Sequence, residues 1–310
     1  MTALREVSAY LPPDRVDIGS LQSRLGLTDA EIKVYRRVFG LREVRHGLDA
    51  LPGDLLLSAI GGLTSPAGVR ERVRYIVQAR TMPEVSPYPH SPLDGILAKG
   101  EFPNAVPFAL TEQACASGLF AVDVCGRLLA EDGDPDGLAL VLVGEKAFTQ
   151  AALQVPGASV NGEAAAAVLV GADGDRDVLL GYATRTYGRF YEFQSRDKES
   201  VLEFQRIYAE ALGEVLRGAA EQAGTDLSGI ALVLPHNVNR ISWTRIAKHL
   251  GIPLDRLFLD NMALTGHSFC ADPFVNLVSA RRSGRLRPGD LYLMATVGLG
   301  ATFSAMAFRH

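Results

Sequence analysis

The sequence is short of cysteine, tryptophan, net charge and long apolar runs, and each shortage closes off a class of protein. Its three cysteines, Cys115, Cys125 and Cys270, have neither the spacing of a zinc site nor the pairing of a disulfide framework. That fits a reducing cytoplasm and no metal centre. A formal net charge of −4 over 310 residues gives no general reason to expect nucleic acid or an anionic membrane as partner. No stretch reaches the roughly 20 uninterrupted apolar residues of a membrane span. The opening Met1-Thr2-Ala3-Leu4-Arg5-Glu6 lacks the apolar core of a signal peptide, so a cytoplasmic location is expected. What is present is 47% hydrophobic residues, ample for one large core or two core halves.

Apolar runs alternate with amphipathic ones. Val7–Leu11, Val73–Ala79, Leu138–Val143, Ala164–Val170, Val178–Thr186, Ile230–Leu234, Asp290–Thr296 and Ala301–Phe308 read as strands. The nearly pure apolar ones are expected to be buried on both faces. Thr28 with Glu31 forms a capping box for a helix from Asp29, closed by Gly40. Leu55–Leu63 is expected to be a helix packed between layers, and Pro83–Pro92 a loop carrying His90. Glu199–Ala223 is a long amphipathic helix, with Leu202, Ile207, Leu212, Val215, Leu216 and Ala219 on its inner side. The order of elements after Cys115 repeats after His267, each time helix, strand, strand. This suggests an internal duplication, with halves 1–172 and 173–310. Strand–helix alternation argues an α/β fold with helices on both sides of the sheets.

Candidate chemistry sits at strand-to-helix turns, where α/β sheets bind ligands. Cys115 follows the strand Pro107–Leu110 and opens a helix running to about Ala130, with Leu119, Val122 and Leu129 on one face. The helix dipole at such a position favours a thiolate, and Ala114, Ala116, Ser117 and Gly118 leave room for a substrate. A small buried core cysteine is the alternative. His236 follows the strand Ile230–Leu234, and His267 stands before another helix; a core histidine and a helix cap are the competing readings. Asn237 and Asn239 read equally as turn residues. The Gly298-Leu299-Gly300 turn lets the main chain approach closely. Arg36, Arg37, Arg42 and Arg45 form a basic cluster that suits an acidic partner, or is simply a solvated face.

Together these segments resemble the ketoacyl-ACP synthase III group of the thiolase-like superfamily, over almost the whole chain. Ser8-Ala9-Tyr10-Leu11-Pro12 and Phe39-Gly40-Leu41-Arg42-Glu43-Val44-Arg45 are similar to its opening strand and Gly-Ile…Arg-Arg segment. Ala114-Cys115-Ala116-Ser117-Gly118-Leu119 resembles its nucleophile motif, and Gly162-Glu163-Ala164-Ala165-Ala166-Ala167-Val168-Leu169 its Gly-Asp-Gly-Ala-Gly-Ala strand. His236-Asn237-Val238-Asn239 resembles its His-Gln-Ala-Asn motif, and Val297-Gly298-Leu299-Gly300-Ala301-Thr302 its closing glycine-rich turn.

The resemblance implies a duplicated thiolase-like fold, layered α/β/α/β/α with two pseudo-symmetric halves. It implies a homodimer that needs no cofactor and takes an acyl-carrier protein or acyl-CoA thioester. Cys115 would carry the acyl group, His236 would assist the second step, and the backbone amides of Cys115 and Leu299, supported by Gly298 and Gly300, would form the oxyanion hole. Asn239 is a supporting candidate, and the four arginines a carrier-docking one. Three departures stand out. The family's second catalytic position is an Asn, and here it is His267, as in the Cys-His-His set of the related elongating ketosynthases. The Trp that stacks on the CoA adenine is missing from residues 31–38, since the one tryptophan is Trp243. Ala147–Val160 lacks the family's Asp-Arg-Thr pattern. The expectation is a specialised acyltransferase of fatty-acid, polyketide or secondary metabolism. Its leading chemistry is decarboxylative Claisen condensation with a malonyl-type thioester. Acyl transfer to an oxygen, nitrogen or sulfur nucleophile, or a non-catalytic carrier-docking subunit, are the alternatives.

Overall fold

The computed structural model describes residues 1–47, 49–65, 67–87, 89–191 and 198–310; Tyr88 of the expected Pro83–Pro92 loop lies outside them. Nine strands make one sheet. They are β1 (Ala3–Tyr10), β2 (Val73–Ala79), β3 (Val106–Leu110), β4 (Leu138–Gly144), β5 (Ala165–Gly171), β6 (Val178–Thr186), β7 (Leu232–Pro235), β8 (Leu291–Gly298) and β9 (Thr302–Arg309). The main helices are α1 (Asp29–Arg37), α2 (Pro52–Gly61), α3 (Ser117–Asp132), α4 (Lys198–Gln222), α5 (Arg240–Leu250) and α6 (Asp272–Arg282).

The sheet is two sheets joined edge to edge. One runs β3-β2-β4-β5-β1 and the other β6-β9-β8-β7, and they meet in the single register pair Ala3–Val178. Outward from that seam both follow one plan, two antiparallel pairings and then a parallel one, and the first sheet adds a second parallel pairing, β2 with β3. The strand alternation explains why both faces are apolar. On the first sheet Leu138, Leu140, Leu142, Ala165, Ala167 and Leu169 face α2, while Ala139, Val141, Val143, Ala166, Val168 and Val170 face α3. On the second, Tyr292, Met294, Met306 and Phe308 face α6, while Leu293, Ala295, Val297, Phe303 and Ala305 face α4 and α5. The layers therefore run α2, sheet, α3 with α6, sheet, α4 with α5.

Local signals hold closely. The Thr28 capping box forms, with the Thr28 amide donating to Glu31 Oε2 at 2.8 Å and the Glu31 amide to Thr28 Oγ1 at 3.3 Å. α1 stops at Arg37, before Gly40, which follows in the left-handed region at φ 78°. One assignment on α4 fails: Leu202 is 51% exposed, whereas Leu212, Val215, Leu216 and Ala219 are buried. Leu202 points away from the sheet in the same turn in which Phe204, two residues on and on the opposite side of the helix, packs against Phe303. The antiparallel pairing of Asp14–Asp17 with Glu43–His46, across the segment that carries α1, has no apolar alternation to signal it.

Candidate active site

The nucleophile turn begins with Ala114, whose φ of 47° lets the chain reverse from β3 into a short 3-10 turn, Ala114–Ala116. α3 follows directly. The second half repeats this device: Phe269, at φ 55°, opens the turn Phe269–Ala271 ahead of α6. The counterpart of Cys115 under this repeat is Cys270, not the expected His267. Two close approaches fix the turn. A Cβ on Gly118 would stand 3.1 Å from the Cys270 carbonyl oxygen, where α3 meets the second half's turn. A Cβ on Gly298 would stand 1.9 Å from the Gln113 carbonyl oxygen, which brings the end of β8 and the following Leu299-Gly300 segment against the Cys115 turn. Thr296 Oγ1 donates to the Cys115 carbonyl at 3.2 Å.

His267 reaches the sulfur, with its Nε2 3.3 Å from Cys115 Sγ. Its Nδ1 lies 2.6 Å from Asp272 Oδ2. Asp272 is fully buried and accepts from the Asn237 amide at 2.6 Å and the Ser268 amide at 2.8 Å. Carboxylate oxygens facing this many donors fix the Nδ1–H tautomer of His267 and leave Nε2 towards the sulfur. Burial disfavours the imidazolium, but the Asp272 carboxylate and the Cys115 sulfur outweigh it and raise the His267 pKa to about 10.

His236 lies beside this pair, its ring centroid 6.4 Å from that of His267. Its backbone is pinned from behind: its amide donates to the Ala295 carbonyl at 2.9 Å, and Trp243 Nε1 donates to its own carbonyl at 3.0 Å. Its Nε2 meets the Tyr208 hydroxyl at 3.0 Å. Burial, and then the charge on His267, lower its pKa to about 3, so it is neutral. On the other side of the sulfur, Thr81 Oγ1 donates to Cys115 Sγ at 3.4 Å and lies 3.5 Å from Cys270 Sγ. The Thr81 and Met82 amides are held by the buried Glu145 carboxylate at 2.7 and 2.8 Å.

The structure thus brings Cys115, His236 and His267 together, and Gly298 and Gly300 lie in the adjoining turn. Asn239 is not brought to the centre: its Oδ1 caps α5 through the Ser242 amide at 2.8 Å, and its Nδ2 donates to the Ala158 carbonyl. Of the four arginines, Arg36 is paired with Asp17, and Arg45 is turned onto the Leu264 and Pro12 carbonyls at 3.4 and 3.2 Å. Arg37 and Arg42 are exposed. Asp272, Tyr208 and Thr81 were missed. Only Asp272 had a local signal, as an acid in a first helical turn five residues after a candidate histidine.

Residues 220–310 match the family model of the 3-oxoacyl-[acyl-carrier-protein (ACP)] synthase III C terminal. The beta-ketoacyl-[acyl-carrier-protein] synthase III of Lactobacillus delbrueckii subsp. bulgaricus is 26% identical over 325 aligned residues, covering 97% of both chains. Among solved structures, the acyltransferase ChlB3 superposes with a TM-score of 0.86 at 18% identity, over 99% of this chain and 97% of that one. The 3-oxoacyl-[acyl-carrier-protein] synthase III of Aquifex aeolicus VF5 does so with a TM-score of 0.83 at 22% identity, over the whole of both. The expected duplicated, layered α/β fold is borne out by these superpositions.

Proposed function

We propose that the chain is a divergent ketoacyl-ACP synthase III-like member of the thiolase-like superfamily, and that it passes an acyl group through Cys115 to an oxygen or nitrogen acceptor. The observation that carries this reading is the Cys115–His267–Asp272 line, with Nε2 at 3.3 Å from the sulfur and Nδ1 at 2.6 Å from the carboxylate. A histidine held this way suits a general base better than a hydrogen-bond donor. In the first step Cys115 sulfur attacks the thioester carbonyl. The oxyanion faces the backbone N–H groups of Cys115 and Leu299, and the departing thiolate takes its proton from the His267 imidazolium. Once the sulfur is esterified, its negative charge no longer favours the imidazolium. His267 then has a free Nε2 lone pair. It removes the acceptor's proton as the acceptor attacks, and Cys115 leaves as thiolate. Residues 1–172 supply the nucleophile in this reading, and residues 173–310 supply both histidines.

Decarboxylative condensation with a malonyl-type thioester is the second reading, supported by the ketoacyl synthase relative that spans the chain. The donor is a carrier-protein or CoA thioester. Burial of Trp243 in the core, and the exposure of Arg37 and Arg42, favour the acidic carrier. A homodimer is supported by the edge strand β3, whose Val106 is 57% exposed beside the half-buried Phe108. The test is intact-protein mass spectrometry with a panel of acyl-CoA and acyl-carrier thioesters, followed by chase with hydroxyl and amine acceptors. An acyl-enzyme discharged by such acceptors is expected. Carbon dioxide released from malonyl-carrier protein in step with turnover, without discharge to any acceptor, would overturn the transfer reading.

A further inference from the structure

We propose that Tyr208 selects the second step of this site: its hydroxyl occupies the hydrogen-bonding position on His236 that a decarboxylating extender would need, and so holds the acyl-enzyme to transfer. The inference rests on the acyl-transfer reading above.

Tyr208 projects from α4, away from the elements that carry Cys115, His236 and His267. Its ring packs edge-on against both Phe204 and Phe303, with centroids 5.5 and 5.6 Å away, and these two rings are 6.2 Å apart, so the three form one cluster. In that cluster the hydroxyl stands 3.0 Å from His236 Nε2. The imidazole has no second outlet, because its Nδ1 is buried without a hydrogen-bond partner among the described residues. Nor can the ring swing aside easily, with Trp243 5.2 Å from it and the backbone pinned to Ala295.

Burial and the nearby Cys115 raise the Tyr208 pKa, so the phenol stays protonated. Neutral His236 has one N–H. If that proton sits on Nε2, it is donated to Tyr208; if it sits on Nδ1, Nε2 accepts from the phenol. In the first arrangement the Nε2–H is already spent on the phenol, and in the second the only N–H is the buried Nδ1–H, so Nε2 offers no free N–H to a substrate carbonyl.

Decarboxylation requires such a donor. The bond between the malonyl Cα and its carboxylate breaks, carbon dioxide leaves, and the electron pair moves onto the thioester oxygen as an enolate. That enolate then either takes a proton from water, giving an acetyl thioester, or attacks the acyl carbonyl on Cys115 and expels the thiolate. A preorganised donor at such an oxyanion is worth about 10²–10³ in rate. Transfer to a hydroxyl or amine generates no enolate and needs only His267, so the Tyr208–His236 bond costs it nothing.

The experiment measures carbon dioxide release from malonyl-CoA and from malonyl-carrier protein, in the full chain and in Tyr208→Phe, Tyr208→Ala and Tyr208→Phe/His236→Ala. Tyr208→Phe keeps the ring cluster and removes only the hydroxyl, and Tyr208→Ala opens the space as well. Trapping of the Cys115 acyl-enzyme confirms that each site is assembled. The expected result is a rise of about tenfold or more in release in at least one single variant, abolished by His236→Ala. Release unchanged in both single variants that still acylate, or a gain that survives loss of His236, would overturn the role of Tyr208. The wild-type rate reads separately on the parent proposal: release at the rate of turnover sinks the transfer reading, whereas the ratio of variant to wild type decides Tyr208.

Discussion

Asp272→Asn removes one charge and changes almost no volume, and its consequences follow from the donors around the carboxylate. Oδ2 faces His267 Nδ1 and the Asn237 amide, both at 2.6 Å; Oδ1 faces the Ser268 amide at 2.8 Å. An amide has one acceptor oxygen. With its NH2 in the Oδ2 seat it confronts the Asn237 N–H and forces His267 into the Nε2–H tautomer, which cannot act as a base. With its NH2 in the Oδ1 seat it confronts the Ser268 N–H. Either way a buried donor is stranded, costing about 1–3 kcal/mol of stability. The charge matters more. Burial opposes the His267 imidazolium, yet Asp272 and Cys115 together overcome it and lift the pKa from its ordinary 6.5 to about 10. Discharge of the acyl-enzyme should therefore fall by about 10³–10⁴-fold, the scale of losing the carboxylate of a nucleophile–histidine–carboxylate triad. Loading of Cys115 should fall less, because its thioester leaving group needs little help. Single-turnover quenched-flow separates the steps: load with acyl-carrier protein, add acceptor, and follow the acyl-enzyme mass. Discharge within about tenfold of wild type, in a folded variant with an unchanged pH profile, would refute the argument.

Three further outcomes are expected. Peptide mapping of the trapped intermediate should find the acyl group on Cys115 in Cys125→Ala and Cys270→Ala alike, since burial raises both other thiols, Cys125 to about 12; an acyl group on either of them would contradict this. Gly298→Ala should cut acylation more than about tenfold and cost about 1–3 kcal/mol, because its Cβ would fall 1.9 Å from the Gln113 carbonyl oxygen, and the Cys115 turn must shift; wild-type acylation kinetics would show that the approach is not needed. Stability should fall on both sides of pH 6.5. Burial, opposed and exceeded by Asp272 and Cys115, leaves the His267 pKa raised to about 10, so its contribution is complete below 6.5 and is lost as pH rises towards 10. Burial and the His267 charge lower the His236 pKa to about 3, so its contribution is lost as pH falls from 6.5 towards 3. Urea midpoints across that range check this, and His267→Asn should flatten the alkaline limb; an alkaline limb that persists in the variant would assign it elsewhere.

The Cys115 turn, the two histidine turns, the Thr28 cap and all nine sheet strands are readable from local pattern alone. Strand alternation, capping chemistry and small residues beside Cys115 act over a few neighbours, so the sequence carries them directly. Even β3 is visible, as the short run before Cys115. Polarity without geometry misled at Asn239, Arg36 and Arg45, where a side chain that looked available is consumed by a helix cap, an ion pair or main-chain carbonyls. The partners that distinguish one chemistry from another were beyond local pattern. Thr81 reaches Cys115 from 34 residues away, and Tyr208 reaches His236 from 28. Even Asp272, five residues after His267, meets it only because the turn opened by Phe269 folds the chain back before α6 begins. Sequence by itself determined that a thiol and two imidazoles would stand at the ends of buried strands. Tertiary structure alone decided which imidazole is held by a carboxylate and which is tied to a phenol, because protonation and tautomer follow from burial and from hydrogen-bond partners that distant segments supply.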